Sequence, residues 1–491
     1  MYSRKVAEAP FALTFDDVLL QPAASSVEPD QTDICSRFSR RIALNIPLVS
    51  AAMDTVTEAS MAIAIAREGG IGVIHRNLTI EEECFEVRLV KQAEELIEHE
   101  VQSVGPDTTV SEVEALMSGH GIGGVPVVDH ENVVIGIVSR RDVRAIVNRR
   151  GKESIRAIMT PSPITANEAF TMEDALETMY ANKVERLPVT DPEGHLVGII
   201  TMQDVLEKRQ YPRAIRDRDG NLRVAAAVGP FDHDRAMALI EAGADALVVD
   251  CAHGHNLAVV KAVGEIKDSV GVDVVAGNIA TGAAAEALVG TVDGLKVGIG
   301  PGSICTTRIV AGVGVPQISA ITAVADVAGP AGVPVCADGG VRFSGDIAKA
   351  IAAGADTVML GSLFAGTDES PGRIVAIKGR RYKQYRGMGS LGVMASGQSS
   401  DRYFQKKEIG RTKFVPEGVE GATPYIGRIS DAIYQLVGGL RSAMGYTGSA
   451  TIADLRRGGR FVRITAAGVG ESHPHNILIT DEAPNYRMFD Q

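Results

Sequence analysis

The chain contains no tryptophan, and its aromatic residues amount to only 4% of the sequence. It has five cysteines, an odd number, and no two of them form a C-x-x-C pair. Neither a disulfide framework nor a cysteine zinc site is therefore indicated, and we infer a reducing compartment. Basic runs are also missing, and the formal net charge is −12. This balance argues against a nucleic acid as the main partner.

Long hydrophobic runs are absent as well. The longest uncharged stretch, residues 309–325, is interrupted by glycines and a proline, which makes it a poor membrane span. The first 17 residues contain no apolar segment followed by a small-residue cleavage site, so no signal peptide is predicted. We therefore expect a cytoplasmic protein without a membrane partner.

Eight short apolar runs recur along the 491 residues, and each is followed by an alanine-rich segment with helical periodicity. Two of the links end in a Gly-Ala-Asp turn, at 243–245 and 354–356. This pattern predicts an α/β fold, a (β/α)₈ TIM barrel. A doubly wound sheet is the alternative, but the number of strand–helix repeats is eight, the number that a TIM barrel needs. The predicted strands are 47–50, 72–74, 224–228, 246–250, 273–276, 294–297, 333–337 and 357–360.

About 150 residues separate the second run from the third, which is far more than a barrel link needs. Inside this stretch the chain repeats itself: G-V-P-V-V-D at 124–129 returns as R-L-P-V-T-D at 186–191, an offset of 62. A tandem insert is therefore predicted between barrel strands two and three. The repeat resembles paired cystathionine-β-synthase-type (CBS) domains, a resemblance that implies binding of purine nucleotides.

Each copy has a hydroxyl three residues before an aspartate. The pairs are Ser139 with Asp142 and Thr201 with Asp204. Two interpretations stay open, and both can hold at once. The pair caps a helix, since S/T-x-x-D is a capping signature. Alternatively, the aspartate binds a ribose diol and the hydroxyl contacts the phosphate of a regulatory nucleotide.

The run G-I-G-P-G-S-I-C-T-T-R, from Gly298 to Arg308, follows the sixth predicted strand. Its three alternate glycines permit a positive φ and a close approach to a ligand. Cys305 has glycines and hydroxyl side chains as neighbours, not the valines and leucines expected around a core cysteine. A loop thiol beside a cation such as Arg308 can have a lowered pKa and act as a nucleophile. We therefore predict that Cys305 is a nucleophile.

This run resembles the active-site loop of the inosine-5′-monophosphate (IMP) dehydrogenase family. The similarity extends from T-F-D-D-V-L-L at Thr14, through S-A-A-M-D at Ser50, to the C-terminal segment. It implies a catalytic barrel built from 1–92 and 214–491, CBS domains at 93–152 and 153–213, and a mobile flap at about 380–428.

The resemblance also implies a reaction, the NAD-dependent oxidation of IMP to xanthosine 5′-monophosphate (XMP), the committed step of guanine nucleotide synthesis. The Cys305 thiolate would add to purine C2, and a hydride would leave for NAD⁺. Water would then hydrolyse the covalent thioimidate. Addition by a thiolate creates the sp³ carbon that can donate a hydride.

Three barrel loops are predicted to converge on the nucleotide. Glycines after strands seven and eight permit phosphate binding by backbone N–H groups. Asp338 offers two acceptor oxygens to a ribose diol, with capping of a turn as the structural alternative. The resemblance adds a run from the long region after the barrel. The expected IMP-binding residues are Ser303, Asp338, Gly339, Gly340, Gly361, Ser362, Tyr385, Arg386, Gly387, Met388, Gly389 and Glu417.

A Rossmann site for the NAD⁺ cofactor is not predicted. The motif G-x-G-x-x-G fits 387–392, but it lies in a region without periodicity, not between a predicted strand and a helix. The resemblance instead places NAD⁺ against Asp250, Asn278, Gly298, Ile299 and Gly300. At Cys251 and Asn256 the sequence departs from the threonine or serine more usual in the family.

Hydrolysis of the adduct needs a group that activates water. The run D-R-Y-F at 401–404 resembles the mobile flap of the family, and it implies that Arg402 is the base with Tyr403 beside it. An arginine base is unusual, because the guanidinium is nearly always protonated. Thr307 together with Glu417 offers a second route for the proton, and a surface charge is the structural alternative for Arg402.

The H-x-H pairs at 253–255 and 473–475 lack a third ligand at zinc spacing. The resemblance implies potassium instead, bound by main-chain oxygens of Gly300, Gly302 and Cys305 and by Glu471, Ser472 and His473 from a neighbouring subunit. It therefore implies a homotetramer, and pairing of tetramers into an octamer stays open.

Two rival functions are compatible with parts of the chain. Guanosine monophosphate (GMP) reductase shares the barrel, the cysteine loop and the phosphate site, but it has no use for a hydrolytic flap or for Glu417. A catalytically silent nucleotide sensor, acting through the CBS pair, has no need of Cys305.

Overall fold

The computed structural model describes residues 2–94, 96–396 and 414–486. The chain divides into two compact units. One unit comprises Met1–Ala93 and Arg213–Gln491, and the other comprises Glu94–Pro212.

In chain order the strands of the described residues are β1 (Val18–Leu20), β2 (Ser36–Arg37), β3 (Ala43–Leu44), β4 (Leu48–Ser50), β5 (Ile71–Ile74), β6 (Gly124–Val128), β7 (Val134–Ser139), β8 (Thr160–Pro161), β9 (Arg186–Thr190), β10 (Leu196–Thr201), β11 (Ala225–Val228), β12 (Ala246–Asp250), β13 (Asp273–Ile279), β14 (Gly294–Val297), β15 (Val335–Asp338), β16 (Thr357–Leu360), β17 (Ile374–Ile377), β18 (Arg380–Arg386), β19 (Glu420–Pro424) and β20 (Phe461–Arg463).

The helices are α1 (Tyr2–Ala7), α2 (Ala59–Glu68), α3 (Ile80–Gln92), α4 (Val110–His120), α5 (Arg140–Arg150), α6 (Met172–Asn182), α7 (Met202–Gln210), α8 (His233–Glu241), α9 (Leu257–Ser269), α10 (Gly282–Glu286), α11 (Thr307–Val310), α12 (Gln317–Ala328), α13 (Ser344–Ala352), α14 (Ser362–Ala365), α15 (Leu391–Ser396), α16 (Ile429–Thr447), α17 (Ile452–Gly458) and α18 (Ala466–Ser472). None of them is both long and apolar enough to cross a membrane.

The first unit is built around a closed barrel of eight parallel strands, β4, β5 and β11 to β16, in which β16 pairs with β4. Parallel strands covered on both faces form continuous apolar runs, and β11, β12 and β16 are buried at every residue. The predicted (β/α)₈ barrel is confirmed, and each predicted run overlaps one observed strand. Because the strands are parallel, the loops after them meet at one end of the barrel.

The Gly-Ala-Asp turns have a structural reason. Gly243 and Gly354, with φ of +101° and +114°, follow the ends of α8 and α13 in a conformation that favours glycine. The aspartate then reaches across to the preceding barrel strand. Asp245 accepts a 2.9 Å hydrogen bond from the N–H of Val224, and Asp356 accepts one of the same length from Val335. Each turn thus fixes the register of two neighbouring strands.

The second unit contains the predicted repeat. The elements α4, β6, β7 and α5 begin 62 residues before α6, β9, β10 and α7. Each copy has its own apolar core, and the cores correspond: Val125, Val127 and Val138 of one are matched at the same offset by Leu187, Val189 and Ile200 of the other. The insert is therefore a tandem of two similar units. Its assignment as a CBS pair stays a prediction, as do the domain boundaries.

The region after the barrel has more regular structure than the sequence predicts. Its described part contains an antiparallel sheet, β17-β18-β19, and the short helix α15. The G-x-G-x-x-G run therefore does lie between a strand and a helix, contrary to expectation. Because β18 is an antiparallel strand and α15 has only six residues, the βαβ context of a Rossmann site is still lacking.

Candidate active site

A cavity opens at the carboxyl end of the barrel, where the chemistry of this fold is usually found. Loops after five barrel strands contribute to it, together with Asn278 of β13 and the segments next to β18 and β19. Its described lining includes Ala51, Ala52, Met53, Asp250, Asn278, Lys296, Gly298, Ile299, Gly300, Gly302, Ser303, Cys305, Thr307, Asp338, Gly339, Gly340, Gly361, Ser362, Tyr385, Gly387, Met388, Gly389, Glu417 and Gly418.

Most of the residues expected to bind IMP and NAD⁺ therefore line one cavity. Arg386 is the exception, because it is absent from the lining and its guanidinium lies on Asp54. Glu471, Ser472 and His473 lie at the end of α18, apart from this lining, and His473 contacts the hydroxyl of Tyr486 at 2.8 Å. Arg402 and Tyr403 lie outside the described residues, so their predicted roles stay predictions.

Cys305 lies half-buried on the loop between β14 and α11. Its thiol donates to Oγ1 of Thr307, which is 3.2 Å from Sγ. The loop is held from the other side by the segment before β19: Thr306 N–H donates to the Glu417 carbonyl at 2.9 Å, and Val419 N–H donates to Ile304 at 3.0 Å. The thiol is thus fixed at the cavity wall, which a nucleophile requires.

Arg308 also holds the main chain of the cysteine loop. Its guanidinium donates to the carbonyl oxygens of Ile299 at 3.1 Å and Val315 at 2.6 Å. A Cβ at Gly300 or Gly314 would lie 2.5 or 2.6 Å from its Cγ, so both glycines make room for this side chain. The cation therefore shapes the cysteine loop through main-chain carbonyl groups.

Lys296, on β14, also lines the cavity, and the sequence analysis did not predict it. Its ammonium lies 3.0 Å from Asp250 Oδ1 and 2.7 Å from Asp338 Oδ2, and it also donates to the amide oxygen of Asn278. The Asn278 amide in turn donates to Asp338 at 2.9 Å. A buried cation thus joins the carboxylates of the two expected sugar sites. The available signal was a lone lysine in the buried run G-L-K-V.

Glycines on two barrel loops form a cradle in the cavity wall. Gly339 and Gly340 have φ of +91° and +85°, and a Cβ at Gly339 would lie 3.2 Å from the N of Gly302. A Cβ at Gly361 would lie 2.8 Å from the Tyr385 hydroxyl. Burial raises the pKa of Tyr385, so this hydroxyl stays protonated and can donate a hydrogen bond. The cradle offers donors without bulk, as a phosphate group requires.

Comparison with known proteins agrees with this geometry. The IMP dehydrogenase / GMP reductase domain profile matches residues 12–475. The chain belongs to this family. It is similar to the protein named inosine-5′-monophosphate dehydrogenase of Methanocaldococcus jannaschii, with 56% identity over 99% of this chain and 100% of the relative. The protein of that name from Halobacterium salinarum is 55% identical over 99% of this chain and 97% of the relative.

Among solved structures, GMP reductase from Trypanosoma brucei in complex with guanosine 5′-monophosphate is similar in fold. Its TM-score is 0.85 at 41% identity, and the match covers 96% of this chain and 100% of that one. The expected family is therefore confirmed. Its two activities share one barrel, so the choice between them depends on the chemistry of the site.

Proposed function

We propose that the chain oxidises IMP to XMP with NAD⁺ as hydride acceptor. The observation that carries this proposal is the Cys305 thiol at the wall of a cavity that also contains two sugar-type carboxylates, Asp338 and Asp250. The higher identity to the relatives named as dehydrogenases supports oxidation over reduction.

In the first half of the reaction, the Cys305 thiolate forms a bond to purine C2, and the hydrogen at C2 leaves with its electron pair. NAD⁺, when bound, accepts this hydride. The product on the protein is a thioimidate between Sγ and C2. Thr307, 3.2 Å from Sγ, is placed to hold the thiol proton before attack.

In the second half, water adds to C2, the S–C2 bond breaks, and the thiolate of Cys305 is regenerated with release of XMP. Glu417 and Thr307, which both line the cavity, form the proton route proposed here. The role of Arg402 as base is proposed from the family resemblance alone.

The chemistry of the cavity fits both ligands. For IMP, Asp338 accepts the ribose hydroxyls, and the cradle of Gly339, Gly340 and Gly361, together with Ser303 and Ser362, receives the phosphate. For NAD⁺, the residues that would hold it are Asp250, Asn278 and the loop 298–300, which also line the cavity. Binding of NAD⁺ by these residues does not require a Rossmann fold.

Potassium and nucleotide regulation belong to the same proposal. Main-chain oxygens of Gly300, Gly302 and Cys305 are the ligand type that K⁺ prefers, and Glu471, Ser472 and His473 of a neighbouring subunit complete the set in a tetramer. In the insert, Ser139 and Thr201 do cap α5 and α7, since each hydroxyl oxygen accepts a hydrogen bond from the backbone N–H of Asp142 or Asp204, at 3.4 and 3.3 Å. Purine nucleotide binding there is compatible with that capping role.

The deciding experiment follows NADH formation from IMP and NAD⁺ by absorbance, with and without K⁺. Cys305→Ala should abolish turnover, whereas Cys35→Ala, at an exposed cysteine outside the lining, should not change it. The likeness to GMP reductase supplies the rival outcome. Oxidation of NADPH with GMP, without NADH formation from IMP, would assign the chain to the reductase.

A further inference from the structure

Within the run Tyr385–Gly389, Arg386 differs from its neighbours. The other four residues line the cavity, and Arg386 is absent from its described lining. Its side chain makes a close ion pair with Asp54: Nε lies 3.2 and 3.0 Å from the two carboxylate oxygens, and Nη2 lies 2.5 Å from Oδ2. Two guanidinium nitrogens on one carboxylate give this pair a defined geometry.

The carboxylate of Asp54 is itself held in place. Only 6% of its side chain is exposed, and it accepts a 2.8 Å hydrogen bond from the side-chain amide of Asn77. The backbone N–H of Arg386 donates to Oγ1 of Thr55 at 3.2 Å. Both the main chain and the side chain of Arg386 are therefore fixed to the segment after β4. With 28% of the Arg386 side chain and 6% of the Asp54 side chain exposed, the pair is less weakened by solvent than a fully exposed salt bridge.

This ion pair lies directly behind two walls of the cavity. Met53, which precedes Asp54, lines the cavity, and its Sδ lies 3.9 Å from the Tyr385 hydroxyl. Gly387, which follows Arg386, lines it too, and a Cβ there would lie 3.3 Å from the Ile304 carbonyl in the cysteine loop. A shift of Arg386 against Asp54 would therefore move both walls relative to each other.

We propose that the Arg386–Asp54 pair is a positioning device that sets the spacing between the wall 51–53 and the wall 385–389, and so sets the affinity for the nucleotide. Arg386 acts through Asp54 and does not contact the substrate. This inference rests on the proposed function, because the nucleotide is the substrate of that reaction. Asp54, on the loop after the first barrel strand, thereby becomes a determinant of a site that it does not line.

The test is a double-mutant cycle of Arg386→Gln, Asp54→Asn and the combined variant. Each single variant should raise both KM and Kd for IMP about tenfold, the scale of a lost hydrogen-bonded charge pair, with a smaller change in kcat. Because both substitutions remove the same contact, the Kd of the double variant for IMP should lie within about twofold of the Kd of the weaker-binding single variant. Arg386→Lys keeps the charge without the two-nitrogen geometry and should fall between wild type and Arg386→Gln.

Arg380→Gln is the matched control, an exposed arginine on the same strand, and it should leave KM for IMP unchanged. Loss of affinity in Arg386→Gln with none in Asp54→Asn would show direct contact with the nucleotide and overturn the proposal. The proposal would also be overturned if the fold-increases in Kd of the two single variants multiplied in the double variant. A lower melting temperature with unchanged KM and Kd would overturn it as well.

Calorimetric titration with IMP separates this inference from the proposed function, because it needs no turnover. If the wild-type chain binds IMP but forms no NADH, the proposed reaction is wrong. The Kd values of the double-mutant cycle would still show whether the Arg386–Asp54 pair positions the nucleotide site. Absence of IMP binding by the wild-type chain would reject both.

Discussion

At the scale of single residues, the buried charge of Lys296 joins the two halves of the candidate site. Replacement by methionine removes the cation but leaves the carboxylates of Asp250 and Asp338 facing the same point. Loss of one partner of a buried pair costs about 3–5 kcal/mol. We therefore expect Lys296→Met to lower the melting temperature and to reduce kcat/KM about 100-fold or more, with a higher KM for both IMP and NAD⁺.

Steady-state kinetics and a thermal melt measure this prediction together. Lys261→Met is the matched control, because that lysine is 80% exposed on α9 and forms only a surface pair. A second variant, Lys296→Met with Asp250→Asn, removes one of the stranded charges and should recover part of the lost stability. Wild-type KM values in Lys296→Met would contradict a role in the site.

Asp273, at the start of β13, makes the fold sensitive to acid. Burial alone would raise the pKa of this carboxyl, but hydrogen bonds from Ser39 Oγ at 2.6 Å and Arg41 N–H at 2.8 Å outweigh it and hold the pKa below its usual range. A lowered pKa in the folded state means that the ionised form adds stability above the unfolded pKa, near 4, and that this stability is lost as the pH falls further.

Asp273→Asn should therefore lower the melting temperature at pH 7, and the gap to wild type should narrow as the pH falls below about 4. Thermal melts across pH measure this gap, and Asp326→Asn, at an exposed aspartate on α12, is the control. A gap that stays constant across the titration would show that the hydrogen bonds of Asp273 do not depend on its charge.

Sequence patterns predicted the residues that line the cavity better than the residues that hold this lining in place. Cys305 and Asp338 follow strands in glycine-rich loops, so motif and spacing identify them. The partner of Asp54 is Arg386, 332 residues away in the chain, and one partner of Lys296 is Asp338, 42 residues away. A local motif does not reveal contacts of this kind. The contact of Arg386 with the substrate stays a prediction. Its guanidinium lies on Asp54, which the sequence could not show, because the sequence does not indicate where a side chain points.

At the scale of secondary-structure elements, the eight barrel strands were predictable because burial on both faces makes each one an apolar run. The sheet β17-β18-β19 was not, because β17 is exposed at all four residues and β18 carries arginine and lysine. Strands of that composition give no apolar signal. Their stability depends on tertiary contacts, which a local pattern does not contain.

Lys383 on β18 supplies one of those contacts. Only 3% of this residue is exposed, and its ammonium donates to the carbonyl oxygens of Thr367 at 2.8 Å, Asp368 at 3.3 Å and Ser370. The turn that carries them follows α14, whose first residue, Ser362, lines the cavity. The lysine thereby ties β18 to the expected phosphate site.

Lys383→Met should leave these carbonyl groups without their donor, at a cost of about 1–3 kcal/mol for each unsatisfied group. We expect a lower melting temperature and a higher KM for IMP. Lys378→Met, at an exposed lysine between β17 and β18, is the matched control. Equal stability and equal KM in both variants would show that this contact does not support the site.

At the scale of the whole molecule, the chain separates catalysis from its insert. Every strand of the barrel and every described residue that lines the cavity belongs to the unit formed by Met1–Ala93 and Arg213–Gln491. The two apolar cores of the other unit are formed within 94–212. Each unit therefore has the buried surface that it needs to fold by itself.

This separation predicts the result of removing the insert. A chain in which 94–212 are replaced by a short Gly-Ser linker should still form NADH from IMP and NAD⁺, because no residue of the cavity is lost. Adenine and guanine nucleotides, the effectors proposed for the insert, should have no effect on the rate of the shortened chain. Initial rates with and without ATP or GTP measure both points, and Cys305→Ala in the shortened chain is the control.

An insoluble or inactive barrel would show that the insert is needed for folding. Regulation that survives the deletion would place the effector site in the barrel.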